Sequence, residues 1–164
     1  MSALLTRRLG EVSEGIIITL EELLETLRPI SNGNTLWIEN TYLNIDDAVV
    51  EPSDGDGNSI RANKDDNNDE QLYNLEKPTR AKTSVRVWIR SYHEASNGMT
   101  VRLYVGETMQ SANILQGTSY AWASIEFAGT WSKAEFNTLF QVGFIPAADE
   151  DQTQYVDVLY TDAI

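Results

Sequence analysis

Asp54-x-Asp56-x-Asn58 has the spacing with which a calcium loop begins. A hard cation needs several carboxylate or carbonyl oxygens converging within one turn. The pattern then lapses, because Ser59 stands where such a loop needs glycine and Asp65 where it needs a bidentate glutamate. A solvated acidic loop explains the same residues more simply, so structural calcium is the one cofactor the sequence admits and none is required. The single histidine, His93, has no cysteine to activate and no Gly-x-Ser-x-Gly elbow to serve. It is expected to be an ordinary surface or turn residue. Asp54-Gly55-Asp56-Gly57 has the wrong spacing and charge for a phosphate loop, and carboxylate pairs for glycoside cleavage could only be chosen arbitrarily among so many acids. No catalytic residue is indicated, and the chain is expected not to be an enzyme.

The aromatic residues are the remaining candidates, since tryptophan and tyrosine can stack on a sugar ring as well as fill a core. Trp37, Trp88, Trp122 and Trp131 all fall in or beside predicted strands, where core packing is the ordinary role. Trp88 differs in sharing its strand face with Arg86 and Arg90, which alternate with Val85, Val87 and Ile89. These three are the candidate contacts to a glycan.

Such a face has to be presented by strands, and most of the chain reads that way. Short period-two runs are separated by turn clusters: Thr35–Ile38 after Ser31-Asn32-Gly33-Asn34, then Val85–Arg90, Val101–Val105, and segments 120–127, 139–145 and 154–161. Asn97-Gly98 between the second and third runs predicts a hairpin joining them. Strands at this spacing without long intervening helices predict an all-β antiparallel sandwich over residues 26–164. Ser132 and Glu135 have capping-box spacing, so one helical turn should close an end of it.

Residues 1–25 read differently. Leu20, Leu23, Leu24 and Leu27 recur at helical spacing behind Thr19 and Glu22, predicting a short amphipathic helix over 19–27 that Pro29 ends. Ahead of it lies an arm carrying Ile16, Ile17 and Ile18. These isoleucines with Leu20, Leu23 and Leu24 are the expected assembly residues, either packing back on their own domain or docking on a neighbouring subunit.

Composition limits the partners. The chain has 164 residues, 25 acidic against 12 basic, no cysteine and a net charge of −13. Nucleic acid and anionic membrane are excluded as partners on electrostatic grounds, and disulfides and zinc-thiolate sites by the absence of cysteine. Between Asp46 and Glu76 ten acidic side chains face only Arg61 and Lys64, so that stretch must sit in water or around cations. The start of the sequence lacks the order of a signal peptide, and a product of the cytoplasm in which it is made is expected.

The order Thr26-Leu27-Arg28-Pro29, Trp37, Asp46-Asp47-Ala48-Val49-Val50-Glu51-Pro52, Ile60, Tyr73-Asn74-Leu75, Val85–Arg90, Gly129-Thr130-Trp131-Ser132, Val142-Gly143-Phe144 and Tyr155–Tyr160 resembles the jelly-roll proteins of tailed viruses. That resemblance spans about residues 26–161 and implies a jelly roll without catalytic residues. It also implies a virion setting in which a capsid decoration, cement or turret subunit, made in the host cytoplasm, forms a homo-oligomer on a capsid or other virion protein. A glycan- or receptor-binding module of a tail or fibre, contacting a host glycan, is the alternative.

Overall fold

A computed structural model describes residues 24–34, 36, 37, 45, 60–62, 69–95, 97–146 and 154–164. Their strands are β1 (Glu25–Leu27), β2 (Pro29–Asn32), β3 (Ile60–Ala62), β4 (Gln71–Leu75), β5 (Lys82–His93), β6 (Gly98–Val105), β7 (Thr108–Leu115), β8 (Ala121–Trp131), β9 (Phe140–Pro146) and β10 (Gln154–Ala163), with one helix, α1 (Lys133–Thr138). Two antiparallel sheets face each other as a jelly-roll sandwich. Sheet A runs β1-β10-β5-β8, with β3 also on β10; sheet B runs β2-β4-β9-β6-β7.

Alternation makes the core. Val85, Val87 and Ile89 point inward from β5, Val101, Leu103 and Val105 from β6, and Val142 and Phe144 from β9, all essentially without solvent contact. Two aromatic groups complete the interior. Phe144 packs between Trp37 and Tyr73 at ring separations of 6.2 and 6.1 Å. Phe136 of α1 lies between Trp131 and Phe140 at 6.1 and 4.9 Å. The helix therefore plugs one end, as its capping box predicts: the Ser132 hydroxyl accepts from Glu135 N–H while the Glu135 carboxylate accepts from Ser132 N–H at 2.7 Å.

Several sequence expectations are corrected. Glu25–Leu27 is a strand paired with Asp162 and its neighbours, not the end of a helix, and Leu24 is an exposed residue outside any helix. Sheet pairing overrides the leucine spacing there. Ile16, Ile17, Ile18, Leu20 and Leu23 lie outside the described residues. Leu36 and Trp37 are not in a strand; the buried Gln71 side chain holds them, its Oε1 accepting from both of their N–H groups at 2.9 and 3.1 Å and its amide donating to Asn34 O at 2.8 Å. A side chain thus does for that segment what a neighbouring strand would do.

The β5–β6 hairpin is also overturned. β5 pairs with β10 and β8, and β6 with β7 and β9, so the segment holding Asn97-Gly98 crosses from one sheet to the other. The hairpin is β6–β7, turned by Gly106-Glu107 with Gly106 at φ +58°. His93 is buried at the end of β5 rather than on the surface, its Nδ1 accepting from Ala95 N–H at 3.0 Å.

Candidate functional site

The same alternation that buries Val85, Val87 and Ile89 forces Arg86, Trp88, Arg90 and Tyr92 onto the outer face of sheet A. Register then assembles their neighbours. Arg86 lies opposite Glu126, Trp88 opposite Ser124 and Arg90 opposite Trp122 on β8; Arg86 lies opposite Asp162 and Tyr92 opposite Tyr155 on β10. The three residues expected from the sequence therefore do share one outward face, and it carries four more aromatic rings than the sequence showed.

Each ring is held. Trp88 donates its indole N–H to Asp162 Oδ2 at 2.9 Å, and the other carboxylate oxygen accepts from the Thr26 hydroxyl of β1 at 2.8 Å. Tyr92 stacks on Tyr155 with centroids 4.4 Å apart and planes 4° from parallel, and meets Tyr120 edge-on at 4.5 Å. The Arg90 guanidinium sits 4.7 Å above the Tyr120 ring, and that of Arg86 5.8 Å from the Trp88 ring while pairing with Glu126 at 2.6 Å. Burial and the Tyr155 hydrogen bond push the Tyr92 phenol up, so it stays protonated. Trp122 is the most open of the tryptophans, with 39% of its surface exposed. Sequence reasoning named it but expected it to pack in the core, which its exposure corrects, and it missed Tyr120 and Tyr155 because only pairing brings them to β5.

The outer face of sheet B has a different chemistry. Arg102 and Tyr104 project from β6, Gln141 from β9 and Asn74 from β4. Glu70, just before β4, lies across Gly143, accepting from Arg102 at 3.1 Å and from the Tyr104 hydroxyl at 2.8 Å. Gln141 donates to Asn74 Oδ1 at 2.8 Å, and Asn74 donates to Ser31 Oγ at 2.9 Å. Tyr104 is pushed up by burial and by its bond to Glu70, while hydrogen bonding to Tyr104, against the opposing effect of burial, and the charge of Glu70 raise Arg102 further.

A third polar cluster is internal. Lys82, with its side chain 1% exposed, pairs with Glu25 at 2.9 Å, and Glu25 also accepts from the N–H and hydroxyl of Thr79. Burial alone would raise the Glu25 carboxyl; the Thr79 bonds and the Lys82 ammonium outweigh it and hold the carboxyl below its usual range. This cluster fixes β1 against the start of β5. Asp54, Asp56 and Asn58 lie outside the described residues, so the calcium reading acquires no geometry.

Neither a protein-family model nor a curated protein matches the chain. Solved structures do match in fold. The CBM36-1 domain of a multidomain xylanase from the hindgut metagenome of Trinervitermes trinervoides aligns at TM-score 0.52 and 13% identity, over 85% of this chain and 95% of that one. A mutant of CBM29-2, a family 29 carbohydrate-binding module, aligns at TM-score 0.49 and 8% identity over 85% and 91%. A family 16 carbohydrate-binding module aligns at 0.45 and 13% over 68% and 80%. The chain shares its jelly-roll sandwich architecture with the CBM36-1 domain.

Proposed function

We propose that this chain is a non-catalytic saccharide-binding module whose ligand lies on the outer face of sheet A. The observation that carries the reading is the strand-built array of Trp88, Trp122, Tyr92, Tyr120 and Tyr155 interleaved with Arg86 and Arg90. A pyranose offers an apolar C–H face and a polar rim, which matches aromatic planes for stacking beside charged groups for the hydroxyls. Rings locked by Asp162, by Tyr155 and by guanidinium stacking lose little freedom on binding, so the contact is preorganised. The carbohydrate-binding modules of similar fold make a neutral polysaccharide the first ligand to try.

The test is calorimetry and affinity electrophoresis against soluble glucan, xylan, mannan and galactan. Trp122→Ala and Trp88→Ala are expected to weaken binding at least tenfold, about 1.4 kcal/mol, with Trp122→Ala leaving the melting temperature unchanged. Wild-type protein that binds none of these polymers, or variants that bind as well as wild type, would overturn the reading. The virion setting and homo-oligomeric assembly rest on the sequence resemblance alone; a particle purified with this chain on its surface would support them.

A further inference from the structure

The outer face of sheet B is built in a way that solvation does not require. A strand face exposed to water needs only side chains that tolerate it, and independent threonines, lysines and glutamates suffice. Here the half-buried polar side chains are tied to each other across four strands: Ser31 to Asn74, Asn74 to Gln141, and Glu70 to both Arg102 and Tyr104. The register sets Tyr104 opposite Gln141 and Arg102 opposite Gly143, so the two groups adjoin. Gly143 lies at the centre of the net and is covered by Glu70, which only a glycine allows: a Cβ there would run into the Glu70 carboxylate. Arg102 and Glu70 cancel each other's charge on a chain whose net charge is −13. Planar amide, carboxylate, guanidinium and phenol groups, fixed by their mutual bonds, form a rigid surface whose remaining oxygen lone pairs can accept from the hydroxyls of an uncharged ligand. On the flank, across β6 from this net, Met109 is exposed opposite Tyr104 on β7, adding apolar surface.

We propose that this face is a second saccharide-binding surface, recognising the hydroxyl edges of a neutral polyhydroxyl chain, where sheet A recognises its apolar faces. The inference rests on the saccharide-binding reading of sheet A and extends it. Because the two faces point away from each other across the sandwich, one domain holds two separate saccharide chains.

The experiment is titration calorimetry of the full chain with the neutral hexaose that binds best among the cellulose, xylan and galactan series, together with turbidity of the corresponding long polymer. Two ligands per chain are expected, falling to one in Gln141→Ala or Tyr104→Phe and to one in Trp122→Ala, with polymer cross-linking lost in all three variants. Tyr104→Phe keeps the ring and removes only the hydroxyl that contacts Glu70, so it guards against a variant that merely misfolds. A single ligand, lost in Trp122→Ala and unaffected by Gln141→Ala and Tyr104→Phe, overturns the second surface and leaves the first standing. A single ligand with the opposite dependence overturns the two-surface proposal and moves saccharide binding to sheet B. No binding by wild type overturns both.

Discussion

Sheets A and B are made by one rule on their inner sides and by two on their outer sides. Inside, both alternate aliphatic and aromatic residues into a shared core, where volume and shape decide what is tolerated. Outside, sheet A carries rings and guanidinium groups held by stacking, and sheet B carries amides and a carboxylate held by hydrogen bonds. The inner faces are constrained by each other; the outer faces are constrained only by what they must meet. Their difference is therefore the part of the molecule most informative about function.

The sharpest way to break the contrast is to remove what both faces share. Phe144→Ala empties the space between Trp37 and Tyr73 and should cost about 3–5 kcal/mol. Chemical denaturation should register that loss, and any binding at both faces should decline together. Two unfolding transitions, with binding at one face lost before binding at the other, would show that the sheets are mechanically separate and that the single-core picture is wrong.

Glu25→Gln acts on sheet A alone, since β1 has no counterpart in sheet B. It leaves the buried Lys82 ammonium without its carboxylate, and about 3 kcal/mol of destabilisation is expected. The sign with pH follows from the depressed carboxyl of Glu25. Its contribution is present above the ordinary glutamate value of about 4.3 and is lost as pH falls through the lower folded value. Melting temperatures measured from pH 7 downward should fall for wild type in that acid range, and the Gln variant should lack that part of the decline. An identical decline in both would show that Glu25 is not the titrating group.

Arg86→Ala is the smallest change. The Arg86–Glu126 pair has side chains 45% and 49% exposed, where an ion pair contributes less than about 1 kcal/mol. Stability should hardly move while saccharide affinity declines. A large loss of stability with unchanged binding would make Arg86 a structural residue and remove it from the site.

Some of this was legible in the sequence. The period of two around Trp88 places Arg86, Trp88 and Arg90 on one face, and the spacing of Ser132 and Glu135 places α1. Alternation tells which way a side chain points but not which strand lies beside it, so β5 and β6 read as a hairpin although they belong to opposite sheets. β7 went unread because its inward residues Gln110, Ala112 and Ile114 include just one strong apolar side chain. The polar face of sheet B was equally hidden, since Glu70 meets Arg102 only through a fold that joins residues 32 positions apart.

The place of β10 in sheet A bears on how the molecule acquires its shape. Residues 154–163 lie between β5 on one side and β1 and β3 on the other, with Glu25 paired to Ala163. Sheet B, by contrast, draws all five strands from residues 29–146. Adding β1 to sheet A requires a loop of well over a hundred residues, an entropic cost that slows formation of such a non-local pair. Pulse-labelled hydrogen exchange during refolding should therefore protect β6, β7 and β9 before β1, so the hydrogen-bonded face matures while the aromatic one awaits its last strand.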